Sequence, residues 1–371
     1  MRAIYFFIKL VCRPVNKITF ISRQSNDLSL DFDLLIKAVQ KLSPQIKIVV
    51  FTKMTGKNLV GIIRYTFSMF AQMKNIASSK VVVLDGYSAA VSVLNHRKNL
   101  KVVQMWHALG ALKKFGFSVP GEEQGWDKAY LRTMNMHRNY DYILTTNEVS
   151  KPYFMEAFNA NEEQMVIMGL PRIDFLLSAQ AEIEIRRKFY RIYPQADNGK
   201  LNILYAPTHR ADKNAPVNEL IKAVNYDKFN LIIKLHGRNR AIETIYTRDA
   251  VLNEGGEAKF KGIELLHISD HIITDYSAII FEASLMKKPV HLYAYDYEQY
   301  SESRRFYIDY ENEMPANINR TIDAVMREIE DLPADMQRIE NFIRKYIPYK
   351  DGKQAECLAK FIFNIILERV E

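Results

Sequence analysis

The sequence predicts an α/β protein of two Rossmann-like doubly wound domains facing an interdomain cleft, on three observations. The 371 residues exceed the length at which one hydrophobic core usually stops growing, so two domains are expected. Short β-branched runs alternate with helical patterns through the first half. The same alternation restarts after a polar, charged stretch at 179–200 that carries Pro194 and Gly199.

In the first half, 17–23 (KITFISR) reads as a strand and 26–42 (NDLSLDFDLLIKAVQKL) as a helix with apolar residues at helical spacing. The runs 47–51 (KIVVF), 80–84 (KVVVL), 101–105 (KVVQM), 141–145 (DYILT) and 164–168 (QMVIM) have the continuous apolar character of parallel strands covered on both faces. Residues 58–76 read as a helix burying Ile62, Phe67, Met69, Phe70 and Met73, and 169–172 (GLPR) closes this half. A helix and a connector are expected over 179–200. Beyond them, 202–206 (NILYA), 230–235 (NLIIKL), 271–274 (HIIT) and 290–293 (VHLY) are the second set of strands. The expected domains are 17–178 and 200–350, with the last segment, 351–371, forming a helix across their junction. Two facing doubly wound domains are the GT-B architecture, with ligands at the strand carboxyl ends.

Composition narrows the partners. Apolar residues make up 48% and charged residues 25%, the balance of a globular protein. The formal charge of +8 and pI near 9.1 favour polyanions. No helix-turn-helix, RRM signature or zinc finger is present, so no nucleic-acid partner is expected. Cys12 and Cys357 form no CxxC or Cys/His pattern, which predicts neither disulfide nor zinc. No paired-carboxylate motif appears either, so no metal and no cofactor are expected. Residues 1–12 (MRAIYFFIKLVC) lack a signal cleavage site. They are interrupted by Arg13 and Pro14, well short of the roughly 20 apolar residues that span a bilayer. Residues 1–16 are therefore expected to form a basic amphipathic segment that lies in a lipid interface or packs on the protein's own core. Residues 58–76, with Arg64, are a second candidate lipid contact.

Four clusters follow predicted strands. The first, 104–116 (QMWHALGALKKFG), sets His107 at a strand end ahead of Lys113 and Lys114, a proton acceptor beside positive charge. The second, 205–210 (YAPTHR), brings Thr208 and Arg210, groups that suit phosphate oxygens. The third, 233–238 (IKLHGR), brings His236 and Arg238. The fourth, 269–282 (SDHIITDYSAIIFE), reads as a strand, a turn at Thr274, Asp275, Tyr276 and Ser277, and a helix whose first N–H groups could seat a diphosphate. Glu282 further along could accept from ribose hydroxyls. Taken singly, each cluster also reads as ordinary capping or solvated charge.

Together the clusters resemble the CDP-glycerol glycerophosphotransferase family of teichoic acid primases and polymerases. The likeness rests on Trp106–His107 with Lys113 and Lys114, on 205–210, on 234–236 (KLH), on 273–277 (ITDYS), and on Lys288, Pro289, Tyr295 and Asp296 followed by 304–310 (RRFYIDY). Ala108, Gly237, Ala278 and Arg305 depart from the family's usual residues. The resemblance implies a glycerophosphotransferase that takes glycerol phosphate from CDP-glycerol, or ribitol phosphate from CDP-ribitol, to an undecaprenyl-linked acceptor or a growing polyol-phosphate chain, releasing CMP. A GT-B nucleotide-sugar glycosyltransferase is the alternative of another donor class. His107 is implied as the general base, and His236, Arg210, Thr208, Thr274 and Ser277, assisted by Arg238, as the diphosphate site. Arg304 and Asp309 are implied to order a loop at the cleft. The implied location is peripheral, on the cytoplasmic face of the bacterial plasma membrane, and the length suits the short members such as the primases.

Overall fold

The alternating text folds into two parallel six-stranded sheets. A computed structural model describes residues 1–52, 59–121, 127–208, 216–235, 251–253 and 259–367, with 59–65, 251 and 253 described by backbone alone. The chain divides into two compact units. One holds Met1–Leu109, Lys114–Asp174 and Asp351–Glu371; the other holds Gly110–Lys113 and Phe175–Lys350.

The first unit carries β1 (Lys17–Ser22), β2 (Lys47–Thr52), β3 (Val81–Leu84), β4 (Lys101–Gln104), β5 (Tyr142–Thr145) and β6 (Met165–Ile167), in the order β2-β1-β3-β4-β5-β6. Every residue of β1 and β3 is buried, whereas the edge strand β2 is half-exposed. The helix Leu30–Leu42 starts on Ser29, whose hydroxyl accepts from Phe32 N at 3.3 Å, and buries Phe32, Leu35 and Val39 at helical spacing. Since β2 lies on one side of β1 and β3 on the other, the chain reverses direction across the sheet at β1/β3. That reversal opens a crevice at the strand carboxyl ends.

A buried ion pair braces this end. Asp31 accepts from Arg172 N at 2.8 Å, Nε at 2.9 Å and an η nitrogen at 2.5 Å, which ties the turn after β6 to the helix Leu30–Leu42. Two residues on, Asp174 accepts from Gln354 N at 2.7 Å and Ala355 N at 2.9 Å, capping the helix Gln354–Leu367. That helix, expected across the domain junction, belongs to the first unit. It packs on the helix Leu30–Leu42, and Lys80 Nζ donates to its Ile366 carbonyl at 2.8 Å.

The N-terminal helix Arg2–Val11 turns its polar side inward. Arg2 Nε donates to Val93 O at 3.1 Å, Lys9 Nζ donates to Asn95 O at 2.7 Å, and the buried Tyr5 hydroxyl meets His96 Nδ1 at 2.8 Å. Its apolar side faces solvent, with Phe7 65% and Leu10 67% exposed. Beside it packs the helix Leu59–Ala77. There Met73 is buried as expected, but Phe67 and Phe70 are exposed, because the helix turns these rings away from the sheet.

The second unit carries β7 (Leu201–Tyr205), β8 (Phe229–Ile233), β9 (Val251–Asn253), β10 (His271–Thr274), β11 (Val290–Tyr293) and β12 (Ile318–Asn319), ordered β12-β11-β10-β7-β8-β9. Here the reversal falls at β7/β10. β9 and β12 escape sequence reading because two or three residues make no recognisable run. The helix Ala179–Ile192, expected at the start of the 179–200 stretch, is part of this unit and buries Phe189 against Phe260, with ring centroids 5.5 Å apart.

Replacing Asp31 by Ala should cost about 3–5 kcal/mol in urea unfolding, since it leaves the Arg172 charge without its buried partner. Asp31→Leu combined with Arg172→Met should recover a large part of that loss.

Candidate active site

At the β1/β3 crevice of the first unit, groups from the ends of β1 and β3 meet His107 beyond β4. The residue stands three positions after β4. Its Nδ1 lies 2.8 Å from Asp85 O, the carbonyl that follows β3. A carbonyl can only accept, so Nδ1 carries the proton and Nε2 keeps its lone pair. The Gln24 side-chain amide, from the segment after β1, lies 3.2 Å from the same nitrogen. Burial pushes the imidazole down to about 4 and the Asp85 carbonyl bond opposes that shift, so at pH 7 the ring is neutral and its Nε2 can receive a proton.

The backbone that presents His107 is held at some cost. Trp106 sits at φ +60°, a left-handed conformation worth about 1–2 kcal/mol against a bulky residue. Three contacts offset it. Gln104, fully buried, accepts from Trp106 N at 3.0 Å and donates to Gly86 O at 3.0 Å. The indole stacks on Phe115 with centroids 4.6 Å apart and 16° between planes, and it also meets the His107 ring at 4.1 Å.

In the second unit, three motifs far apart in sequence meet at the β7/β10 reversal. Thr208, beyond β7, donates its N–H to the Asp275 carboxylate beyond β10 at 2.7 Å. Asp275 also accepts from Tyr276 N at 2.6 Å. Tyr310 donates its hydroxyl to Asp275 O at 2.9 Å, which ties 304–310 to the turn. Residues Gly110–Lys113 join from the loop after β4. Lys113 bridges Phe306 in antiparallel fashion and Leu112 O accepts from Tyr307 N at 3.0 Å. Lys113 Nζ donates to the Tyr300 hydroxyl at 3.2 Å, and Tyr300 stacks on Tyr276 at 3.8 Å. Gly110 lies flat on the helix Ile279–Leu285, where a Cβ would come within 2.4 Å of the Phe281 ring.

The expected site residues therefore fall into distinct groups. Arg210, His236 and Arg238 lie outside the described residues. His107 stands with an open Nε2. Lys113 belongs to the second unit, while its neighbour Lys114 belongs to the first and pairs with Glu156 at 3.7 Å. Several side chains expected to bind substrate are also part of the turn's own bonding. Thr274 is fully buried and donates its hydroxyl to Ala206 O at 2.7 Å. Asp275 is spent on main-chain amides, and Tyr276 is buried with its hydroxyl on Asp296 at 3.0 Å. The helix begins at Ile279 with Ala278 at its N-cap, and the Ser277 hydroxyl accepts from Ile279 N at 3.4 Å. Of the turn's side chains, Ser277 alone is part-exposed.

Glu282, expected to accept from a ribose, lies on the helix Ile279–Leu285 and is 5% exposed. Arg304 ends the helix Tyr297–Ser303 with its N–H on Tyr300 O at 2.8 Å. Asp309 is exposed and closes a local turn, accepting from Glu311 N, Asn312 N and Asn312 Nδ2, bonds that hold its carboxyl below the usual range. Among the described residues no group of His, Cys, Asp or Glu could hold a metal ion. Sequence reading passed over Asp85, Gln24 and Gln104, although Asp85 directly follows a strand run and Gln104 ends one. Tyr300 and Tyr310 fasten the second-unit cluster; Tyr310 ends the 304–310 motif, but no role was read for either residue.

The chain matches the description CDP-Glycerol:Poly(glycerophosphate) glycerophosphotransferase over residues 4–364. It is 32% identical to the teichoic acid ribitol-phosphate primase of Bacillus spizizenii, over 95% of this chain and 92% of that protein. It is 30% identical to the teichoic acid glycerol-phosphate primase of Bacillus subtilis, over 84% and 78%. The wall teichoic acid polymerase TagF superposes with a TM-score of 0.80 at 22% identity, covering 100% of this chain and 94% of that one. That likeness identifies the fold as GT-B, with two Rossmann-like α/β domains. The resemblance drawn from the spaced motifs is thereby borne out.

Gly110→Ala should lower stability by about 1–3 kcal/mol through overpacking against Phe281, and Phe281→Leu in the same chain should relieve it. Thermal unfolding of the two variants checks the contact.

Proposed function

The chain belongs to the CDP-glycerol:poly(glycerophosphate) glycerophosphotransferase family, and from that premise we propose that it moves glycerol phosphate from CDP-glycerol to an undecaprenyl-linked disaccharide or a growing polyol-phosphate chain. The observation that carries the reading is His107, with its proton fixed on Nδ1 by the Asp85 carbonyl and Nε2 left to act as a base. The acceptor's hydroxyl oxygen attacks the β-phosphorus of the donor. Its proton passes to Nε2, the bond from the β-phosphorus to the bridging oxygen breaks, and CMP leaves with that electron pair. Such a transition state needs charge stabilisation above all. Arg210, His236 and Arg238, with Thr208, Lys113, Ser277 and the amides of the 274–277 turn, are assigned to the diphosphate.

CDP-ribitol is the second reading of the donor, favoured by 32% identity to a ribitol-phosphate primase across 92% of its length. The acceptor's lipid explains the outward apolar face of the helix Arg2–Val11 and the exposed Phe67 and Phe70. These rings suit shallow insertion into the inner leaflet of the plasma membrane. Among the described residues no helix is long and apolar enough to cross a membrane.

Incubation with CDP-glycerol or CDP-ribitol and a synthetic lipid-disaccharide, followed by mass measurement, should show units of one polyol phosphate added. Growth by a hexose would instead identify a glycosyltransferase. His107→Ala should reduce CMP release by at least about 1,000-fold while calorimetric donor binding stays within about threefold. Phe7→Asp with Leu10→Asp should abolish co-sedimentation with vesicles and leave turnover of a water-soluble acceptor analogue intact.

A further inference from the structure

We propose that Gln104 is a positioning residue for the transfer: its side-chain amide bridges the two backbone segments that hold the His107 imidazole, and so keeps Nε2 open for the acceptor's proton. The proposal rests on His107 being the base.

Three consecutive carbonyls after β3 are all taken up by residues 104–107. Leu84 O accepts from Met105 N at 2.8 Å, the rung that follows the paired residues of β3 and β4. Asp85 O accepts from His107 Nδ1 at 2.8 Å. Gly86 O accepts from Gln104 Nε2 at 3.0 Å. The carbonyl that fixes the imidazole therefore stands between two others. Each peptide unit is planar and turns as one piece, so the direction of Asp85 O depends on how its neighbours on both sides are held. On one side the backbone ladder holds them. On the other, Gln104 supplies a rung from its side chain, beyond the point where the two strands part.

The other end of the same amide holds the residue before His107. Trp106 sits at φ +60°, and its N–H donates to Gln104 Oε1 at 3.0 Å. A main-chain N–H can only donate and a carbonyl can only accept, so these partners settle which end of the amide is which. A bulky residue in the left-handed region persists only where its surroundings determine it. Gln104 is fully buried beside Val103 and Met105, themselves fully buried. An apolar side chain would fill such a place without the desolvation an amide suffers. The amide is matched instead to Trp106 N and Gly86 O, the main-chain groups that flank the two anchors of the base. Losing it would free both peptides to turn, and the ring could then exchange into the tautomer that carries its proton on Nε2.

The test measures kcat and donor KM from CMP release, with lipid-disaccharide saturating and CDP-glycerol or CDP-ribitol as donor, alongside nitrogen-15 NMR of the His107 ring. The chains compared are the wild type, His107→Ala to assign the signal, Gln104→Met, Gln104→Asn and Gln104→Glu. Met keeps the length without either hydrogen bond, and Asn keeps the amide but is one methylene too short to span both partners. The wild-type ring should show its proton on Nδ1. Gln104→Met should lower kcat about 10- to 100-fold, leave donor KM within about twofold, and give a mixture of tautomers. Gln104→Glu can accept from Trp106 N and, when protonated, donate to Gly86 O, so it should regain part of the rate and of the Nδ1–H signal. Wild-type kcat in Gln104→Met overturns the proposal. So does a fall in kcat with the His107 signals unchanged, since a merely structural role leaves the tautomer alone. Turnover by His107→Ala would remove the base reading itself, a separate outcome. Should Gln104→Met not fold, Gln104→Asn is judged by the same two results.

Discussion

The hydrogen bond from His107 Nδ1 to the Asp85 carbonyl is the constraint on which the chemistry of the first unit depends. It chooses the tautomer, and with it which nitrogen can receive a proton. It exists because two adjacent parallel strands end in register, Leu84 opposite Gln104, so that the residue after β3 and the third residue after β4 come to lie side by side. Everything that keeps those two ends together therefore acts on the proposed base. Gln104 spans them directly, with Gly86 O on one side and Trp106 N on the other. The Asp31–Arg172 pair closes the opposite wall. The left-handed Trp106 is tolerated because its amide and its ring are both held.

The second unit solves a different problem with the same topology. Its reversal point gathers segments near 110, 208, 275 and 306, and the polar side chains of the turn are consumed in joining them. Asp275 joins its own turn to Thr208, and its carbonyl takes the Tyr310 hydroxyl. Burial and the neighbouring carboxylates push the Tyr276 and Tyr310 phenols well above their ordinary range, so both stay neutral hydrogen-bond donors. A motif of this kind is specific in sequence because its members hold one another, and that specificity is not by itself evidence that each member touches a ligand.

This explains what could and could not be read from the residues. Both sheets were legible as β-branched runs, since a strand buried on both faces has little freedom in composition. β9 and β12 were not, because pairing to a longer neighbour, rather than their own sequence, makes them strands. His107 was legible from its place at a strand end. Asp85 occupied an equally telling place but looked like an ordinary turn residue, and only the burial of its carboxyl sets it apart. For Thr274, Asp275 and Tyr276 the motif was recognised and the direction of the side chains was not, since one-dimensional spacing does not say which face of a turn is inward. The N-terminal helix shows the same gap: its amphipathic pattern was plain, while the choice of which side docks depended on carbonyls of residues 93 and 95 that no local pattern announces.

That choice bears on how this helix would meet a lipid surface. Arg2 and Lys9 already donate to protein carbonyls, so they are poorly placed to reach anionic headgroups. The grip of this face in the proposed membrane contact is therefore apolar, supplied by Phe6, Phe7, Leu10 and Val11 at roughly 25 cal/mol per Å² of surface removed from water. An apolar grip is insensitive to salt, unlike the screened attraction expected of a basic helix lying polar side down. It also leaves the net positive charge of the rest of the chain free for anionic substrates. In the proposed function, membrane holding and phosphate handling thus fall to separate sets of residues, the first to outward rings near the amino terminus and the second to the strand ends.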